Sequence, residues 1–139
     1  MHLTEIIPGA LYQCDADIAV CETLRGRGHR RLLLINLCGL PADRIPDDVA
    51  YLRWPIDDGP VPDRAMLAGI EQLGARMVDG GGTAIAMCSM GLNRSGLIAA
   101  LILCRVRQLR GREALAFVRS KNANALRNDD FVRYLEEDR

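Results

Sequence analysis

The sequence predicts an α/β domain with a central, mostly parallel sheet flanked by helices. Three observations carry that prediction. Two short, continuous apolar runs, Arg31 to Leu37 and Thr83 to Met87, have the character of strands buried on both faces. Helical spacing alternates with the strand-like runs, as it does when helices cross over a parallel sheet. Glycine and proline break the chain at regular intervals, with no repeat, low-complexity segment or linker between. The 139 residues therefore form a single domain, 1–139, large enough for a real core.

Ala10 to Cys14 reads as a short strand after the Pro8-Gly9 turn. Asp17 to Arg27 reads as a helix, with Asp15 or Asp17 as cap and Gly26/Gly28 as stop. Arg31 to Leu37 is the first buried strand, Pro41 to Asp48 a loop, and Ala50 to Trp54 another short strand. Pro55 to Pro62, with three prolines and a glycine, is an irregular loop. Met66, Leu67, Ile70, Leu73 and Met77 give helical spacing from Pro62 to about Asp79, and Asp63 suits the start of that helix. After Gly80-Gly81-Gly82 come the strand from Thr83, a tight loop, and a long helix from Ser95 to about Arg110. Two helices follow, Arg112 to Ser120 and one from about Asn128 through Phe131, Val132 and Leu135.

The tight loop is the most informative segment. Cys88 and Arg94 bracket Ser89-Met90-Gly91-Leu92-Asn93, and Ser95-Gly96 follow. A loop between a strand and a helix N-terminus is an anion trap, because its amides turn inward and the helix end carries partial positive charge. A cysteine in that field is pushed toward thiolate, the nucleophilic form. An arginine closing the loop can grip two phosphate oxygens with its planar fork. Nucleophile and clamp on one cradle suggest hydrolysis of a phosphate ester through a phosphocysteine. Residues 89 to 94 would bind the phosphate. Asn93 would order the loop, and Gly91 and Gly96 would allow its geometry or close packing.

Composition narrows the partners. Hydrophobic residues make up 49% and charged residues 26%, as in soluble globular chains. A formal net charge of zero argues against nucleic acid or an acidic membrane surface held by bulk electrostatics. The apolar stretches Leu32 to Leu37 and Leu97 to Cys104 are too short for membrane insertion. Met1-His2-Leu3-Thr4-Glu5 lacks the pattern of a secretory signal. The five cysteines include no Cys-x2-Cys pair, so neither zinc nor a disulfide framework is expected, and a reducing cytoplasm fits. Arg105, Arg107, Arg110 and Arg112 read as the solvated face and end of the long helix. Tyr12, Tyr51 and Trp54 are candidates for core or pocket wall, and His29 is expected in solvent between helix and strand.

Taken together, several segments resemble the dual-specificity branch of the cysteine-based protein tyrosine phosphatases over nearly the whole length. They are Ile7-Pro8-Gly9-Ala10-Leu11-Tyr12, Leu34-Ile35-Asn36-Leu37, Leu52-Arg53-Trp54-Pro55-Ile56-Asp57-Asp58, Cys88 to Gly96, and the helical pair around Ala114-Leu115-Phe117-Val118 and Asn128-Phe131. The resemblance implies a phosphomonoesterase that needs no metal or other cofactor. Its expected substrates are phosphorylated proteins or small phosphoesters, with phosphotyrosine, alone or beside phosphoserine and phosphothreonine, as the default. It further implies a general acid on the loop one helix before the cysteine, where Asp58 fits the family pattern best and Asp57 second. Such a group protonates the leaving oxygen as the P–O bond breaks. By the same resemblance the Ser95 hydroxyl assists the departing thiolate in the second step, alongside a role in capping the helix.

Two departures stand out. The family has histidine before the cysteine, where it orders the loop, and Met87 cannot donate a hydrogen bond in its place. Either the enzyme is slower or its optimum is shifted to alkaline pH, so that Met87→His raises activity near neutrality, or the loop amides and helix N-terminus suffice alone. The loop interior also lacks Lys and Arg, which disfavours a highly charged lipid or RNA 5′-triphosphate substrate. Some lipid-directed relatives carry a cysteine placed like Cys38, which forms a reversible disulfide with the nucleophile; by resemblance Cys38 is a candidate redox partner of Cys88. The competing readings are a phosphate-binding pseudophosphatase and other chemistry on a Cys-x5-Arg loop, rhodanese-like or arsenate-reducing.

Overall fold

The computed structural model describes residues 1–17, 19–39 and 45–137. The elements are β1 (Leu3–Ile7), β2 (Leu11–Cys14), α1 (Val20–Gly26), β3 (Leu32–Asn36), β4 (Ala50–Arg53), α2 (Arg64–Asp79), β5 (Thr83–Met87), α3 (Arg94–Arg107), α4 (Gly111–Lys121) and α5 (Asp129–Glu136). One five-stranded sheet has the order β1-β2-β5-β3-β4. Only β1 runs antiparallel, paired with β2; the other neighbours are parallel, as the predicted α/β class requires.

β1 was not expected. It is an edge strand whose Leu3 to Glu5 stay at least partly exposed, so neither alternation nor a continuous apolar run marks it. The Pro8-Gly9 turn makes it the first arm of a hairpin, with the Ala10 N–H donating to the Ile7 carbonyl at 3.0 Å and Gly9 at φ 72°. α1 begins later than the expected Asp17; the Asp17 carboxylate instead accepts the Ala19 N–H at 2.9 Å at the approach to the helix. The predicted loop Pro41 to Asp48 lies partly outside the described residues. α2 starts at the Asp63 cap, which accepts the Met66 N–H at 2.9 Å.

The larger apolar cluster fills the side of the sheet covered by α2 to α5. At its centre Leu97 to Leu103 of α3 are all fully buried. Burying each Leu or Ile side chain there stabilises the fold by about 1.5–3 kcal/mol. α2 meets α3 at Gly74, where an added Cβ would lie 2.3 Å from Ile102 Cδ1. The smaller cluster, with Tyr12, Cys14, Leu34, Ile85 and Met87, lies under α1 on the other side.

The parallel strands end in one row. Cys14 pairs with Met87, Met87 with Asn36, and Asn36 with Arg53. The loops leaving those residues therefore open along a single edge, at the carboxyl ends of the strands, where open α/β sheets bind ligands.

Candidate active site

Residues 88–93 join the end of β5 to the start of α3 in the middle of that edge. The Cys88 N–H donates to the Cys14 carbonyl at 3.2 Å, extending the β2–β5 ladder by one residue. Strand alternation then turns the Cys88 side chain toward the α3 side, where it is 2% exposed. Its thiol donates to Ser95 Oγ, 3.2 Å away in the first turn of α3. Gly91, at φ 69°, brings the loop so close to the end of β2 that a Cβ would sit 2.6 Å from the Asp15 nitrogen.

Asn93 precedes α3 but does not cap it. Its Oδ1 accepts the backbone N–H groups of Arg127 at 2.8 Å and Asn128 at 3.2 Å, and its Nδ2 donates to Asp58 Oδ2 at 3.0 Å. The orphan N–H groups of the first helical turn are thus left without a side-chain cap, as an anion-binding end requires. Arg94 donates through Nη1 to the Ile56 carbonyl at 3.0 Å, which stations the guanidinium between the reactive loop and the loop after β4.

Asp58 is brought to the cradle by two amides. Besides Asn93, Asn128 donates through Nδ2 to Asp58 Oδ1 at 2.8 Å and to the Gly59 carbonyl at 3.0 Å. The Asn128 Oδ1 also caps α5, accepting from Asp130 N at 2.9 Å and Phe131 N at 3.2 Å. Asp57, its neighbour, lines a groove with Trp54, Ile56, Val61 and Met66. Two large apolar side chains are exposed, Trp54 in the groove beside Asp57 and Met90 in a separate depression with His2, Leu3 and Lys121.

Tyr12, His29 and Cys38 bond to partners of their own. Tyr12 is buried in the smaller cluster and its hydroxyl donates to Glu5 Oε2 at 2.6 Å. His29, expected in solvent, is half-buried: its ring is edge-on to Tyr12 and its Nδ1 is 2.8 Å from Thr83 Oγ1. Cys38 is buried, and both its N–H (3.0 Å) and its thiol (3.1 Å) donate to Asn36 Oδ1. Cys14 abuts Cys88 through the backbone, yet its side chain belongs to the opposite cluster. Burial, then the charge of Asp15, push the Cys14 thiol up, which keeps it protonated and inert.

Sequence reasoning passed over Gln13. It sits in β2 between β1 and β5, is fully buried, and donates through Nε2 to the carbonyls of Gly91 (2.9 Å) and Leu92 (3.1 Å) and to Ser95 Oγ (3.1 Å). A polar residue in a strand face covered by α3 must find partners inside the protein, and no local sequence signal marks it. Met87, by contrast, is fully buried among Tyr12, Leu34 and Ile85 on the α1 side.

No family model matches the chain, and no curated protein matches it significantly. Solved structures do. Human DUSP28 is 28% identical, with 97% of this chain and 90% of that one aligned at a TM-score of 0.77. DUSP15 is 26% identical over 97% of this chain and 85% of that one, with a TM-score of 0.82. The active form of Tk-PTP is 25% identical over 97% and 94%, at 0.77. The chain has the fold of the dual-specificity phosphatases, and its structural relatives are protein phosphatases.

Proposed function

We propose that this chain is a metal-independent phosphomonoesterase that works through a phosphocysteine on Cys88. One observation carries the reading: a thiol, a serine hydroxyl, an arginine and a carboxylate surround one helix N-terminus whose own cap residue is turned away. The Cys88 thiolate attacks phosphorus in line. Arg94 and the amides of residues 89 to 94 hold the three equatorial oxygens, over which the transition-state charge is spread. Asp58, approaching from the loop after β4, protonates the leaving oxygen. The same carboxylate, now ionised, takes a proton from the water that hydrolyses the phosphocysteine, while Ser95 donates to the departing thiolate. Asn93 belongs to both loops' hydrogen bonding and keeps the acid over the cradle.

Trp54, exposed in the groove beside Asp57, suits a planar aromatic leaving group, which favours phosphotyrosine in a protein or peptide, with phosphoserine and phosphothreonine as smaller substrates. Five free thiols, four of them buried, suit a reducing, cytoplasmic setting.

The test is hydrolysis of para-nitrophenyl phosphate in chelator by the parent protein and by Cys88→Ser. Turnover that survives chelation and disappears in the variant is the expected result. A folded, reduced parent that binds tungstate without turnover would replace this reading by phosphate binding alone.

A further inference from the structure

We propose that Gln13 is a positioning residue of the phosphate cradle, directing both the loop N–H groups and the Ser95 hydroxyl. The inference rests on reading residues 88–95 as a phosphate site.

The orientation of the carboxamide is set by its partners. Nε2 meets two carbonyl oxygens, which can only accept, so the NH2 end must face the loop, its two protons shared among these oxygens and Ser95 Oγ. A trans peptide holds its C=O and the following N–H on opposite sides. Pulling the carbonyls of Gly91 and Leu92 toward β2 therefore turns the N–H groups of Leu92 and Asn93 the other way, toward the loop interior. Leu126 N–H joins Gln13 on the Leu92 carbonyl at 3.2 Å, so that peptide is held by two donors.

The third contact reaches the chemistry. Ser95 Oγ receives the Gln13 amide at 3.1 Å and the Cys88 thiol at 3.2 Å. Once Cys88 is a thiolate, it can no longer donate, and the Ser95 proton is free to point at sulfur. The Gln13 N–H remains on the serine lone pair and polarises the hydroxyl toward that bond. Met87, the residue beside the nucleophile, has no donor and faces the other side of the sheet, so this work falls to β2.

Gln13 is a poor choice for stability alone. Its Oε1 is buried without a partner among the described residues. An unpaired buried acceptor weakens the fold. The contacts made by Nε2 explain why the amide is there.

Gln13→Met keeps the length and removes the amide. Tungstate binding by calorimetry, thermal unfolding and kcat/KM on para-nitrophenyl phosphate are measured for both proteins. We expect the variant to fold but to unfold several degrees below the parent, because the Gly91 carbonyl loses its donor, while tungstate affinity and kcat/KM each fall about five- to tenfold. Equal affinity and turnover in the two proteins would overturn the assignment. A parent that binds no tungstate would overturn the proposed function instead. Should the variant not fold, exchange of the Gln13 carboxamide protons in the parent decides: slow exchange and a shift on adding tungstate support the role, and exchange as fast as that of an exposed glutamine sinks it.

Discussion

Asn128 allows two tasks in one side chain to be separated. Its Oδ1 caps α5, and its Nδ2 tethers Asp58 and Gly59. Asn128→Ser retains a good helix cap but has no group that reaches Asp58. Two N–H donations are lost, each worth about 0.5–1.5 kcal/mol and nearer the lower end here because Asp58 is exposed. A total of about 1–2 kcal/mol taken from positioning the acid corresponds to a drop in kcat/KM of about 5- to 30-fold. The drop should be larger for a phosphotyrosine peptide than for para-nitrophenyl phosphate, whose better leaving group needs less protonation. Asn128→Ala removes the cap as well and should lower the unfolding free energy by about a further 1 kcal/mol. The assay is steady-state kinetics on both substrates beside thermal unfolding of parent, Ser and Ala variants. Full kcat/KM in Asn128→Ser on the peptide would refute the argument that this amide positions the acid.

Further predictions concern the acid, the loop, the opposite edge of the sheet and the thiols. Asp58→Asn should depress kcat most for poor leaving groups while Asp57→Asn leaves it within about twofold; equal losses would reassign the role. Gly91→Ala combines a left-handed φ with a Cβ 2.6 Å from the Asp15 nitrogen, so oxyanion binding and unfolding temperature should both fall. Burial first, and then the hydrogen bond to Glu5, raise Tyr12 to about 12. The folded state therefore holds that proton where the unfolded chain has lost it, and stability should be undiminished below about pH 10 and decline as pH rises toward the folded value. Chemical denaturation across pH 9 to 12 reads that slope, and Tyr12→Phe should flatten it. Brief peroxide treatment should yield a Cys38–Cys88 linked peptide by mass spectrometry; a sulfenic acid on Cys88 with Cys38 still reduced would remove Cys38 as redox partner.

The parts of the molecule legible in the sequence are those whose signal is local. Leu32 to Asn36 and Thr83 to Met87 are buried on both faces, so a continuous apolar run was enough to find them. The spacing of Cys88, Arg94 and Ser95 was enough to place the three at one strand-to-helix turn, where Cys88 Sγ lies 3.2 Å from Ser95 Oγ. What escaped depends on the third dimension. Edge strand β1 gains its pairing only from β2, and its exposed residues hide its period. Gln13 reads as an ordinary polar residue until α3 is known to cover its face of β2. Asn128 was visible as a helix start, but its second bond, to Asp58, spans 70 residues and has no sequence signature. His29 was misplaced for the same reason, since its partner Thr83 is 54 residues away.

The segment before α5 ties these observations to how the protein comes into being. Leu126, at φ 59°, gives its N–H to the Leu92 carbonyl, and the next two N–H groups hold Asn93. During synthesis the sheet strands, the cysteine loop and α3 all leave the ribosome before this strap does. A nascent chain at that stage has its reactive thiol but neither the grip on Asn93 nor the amide that draws in Asp58. On the proposed mechanism, the acid and the loop come into register only once residues 126–128 dock, so an unfinished or clipped chain would carry Cys88 with a slower turnover.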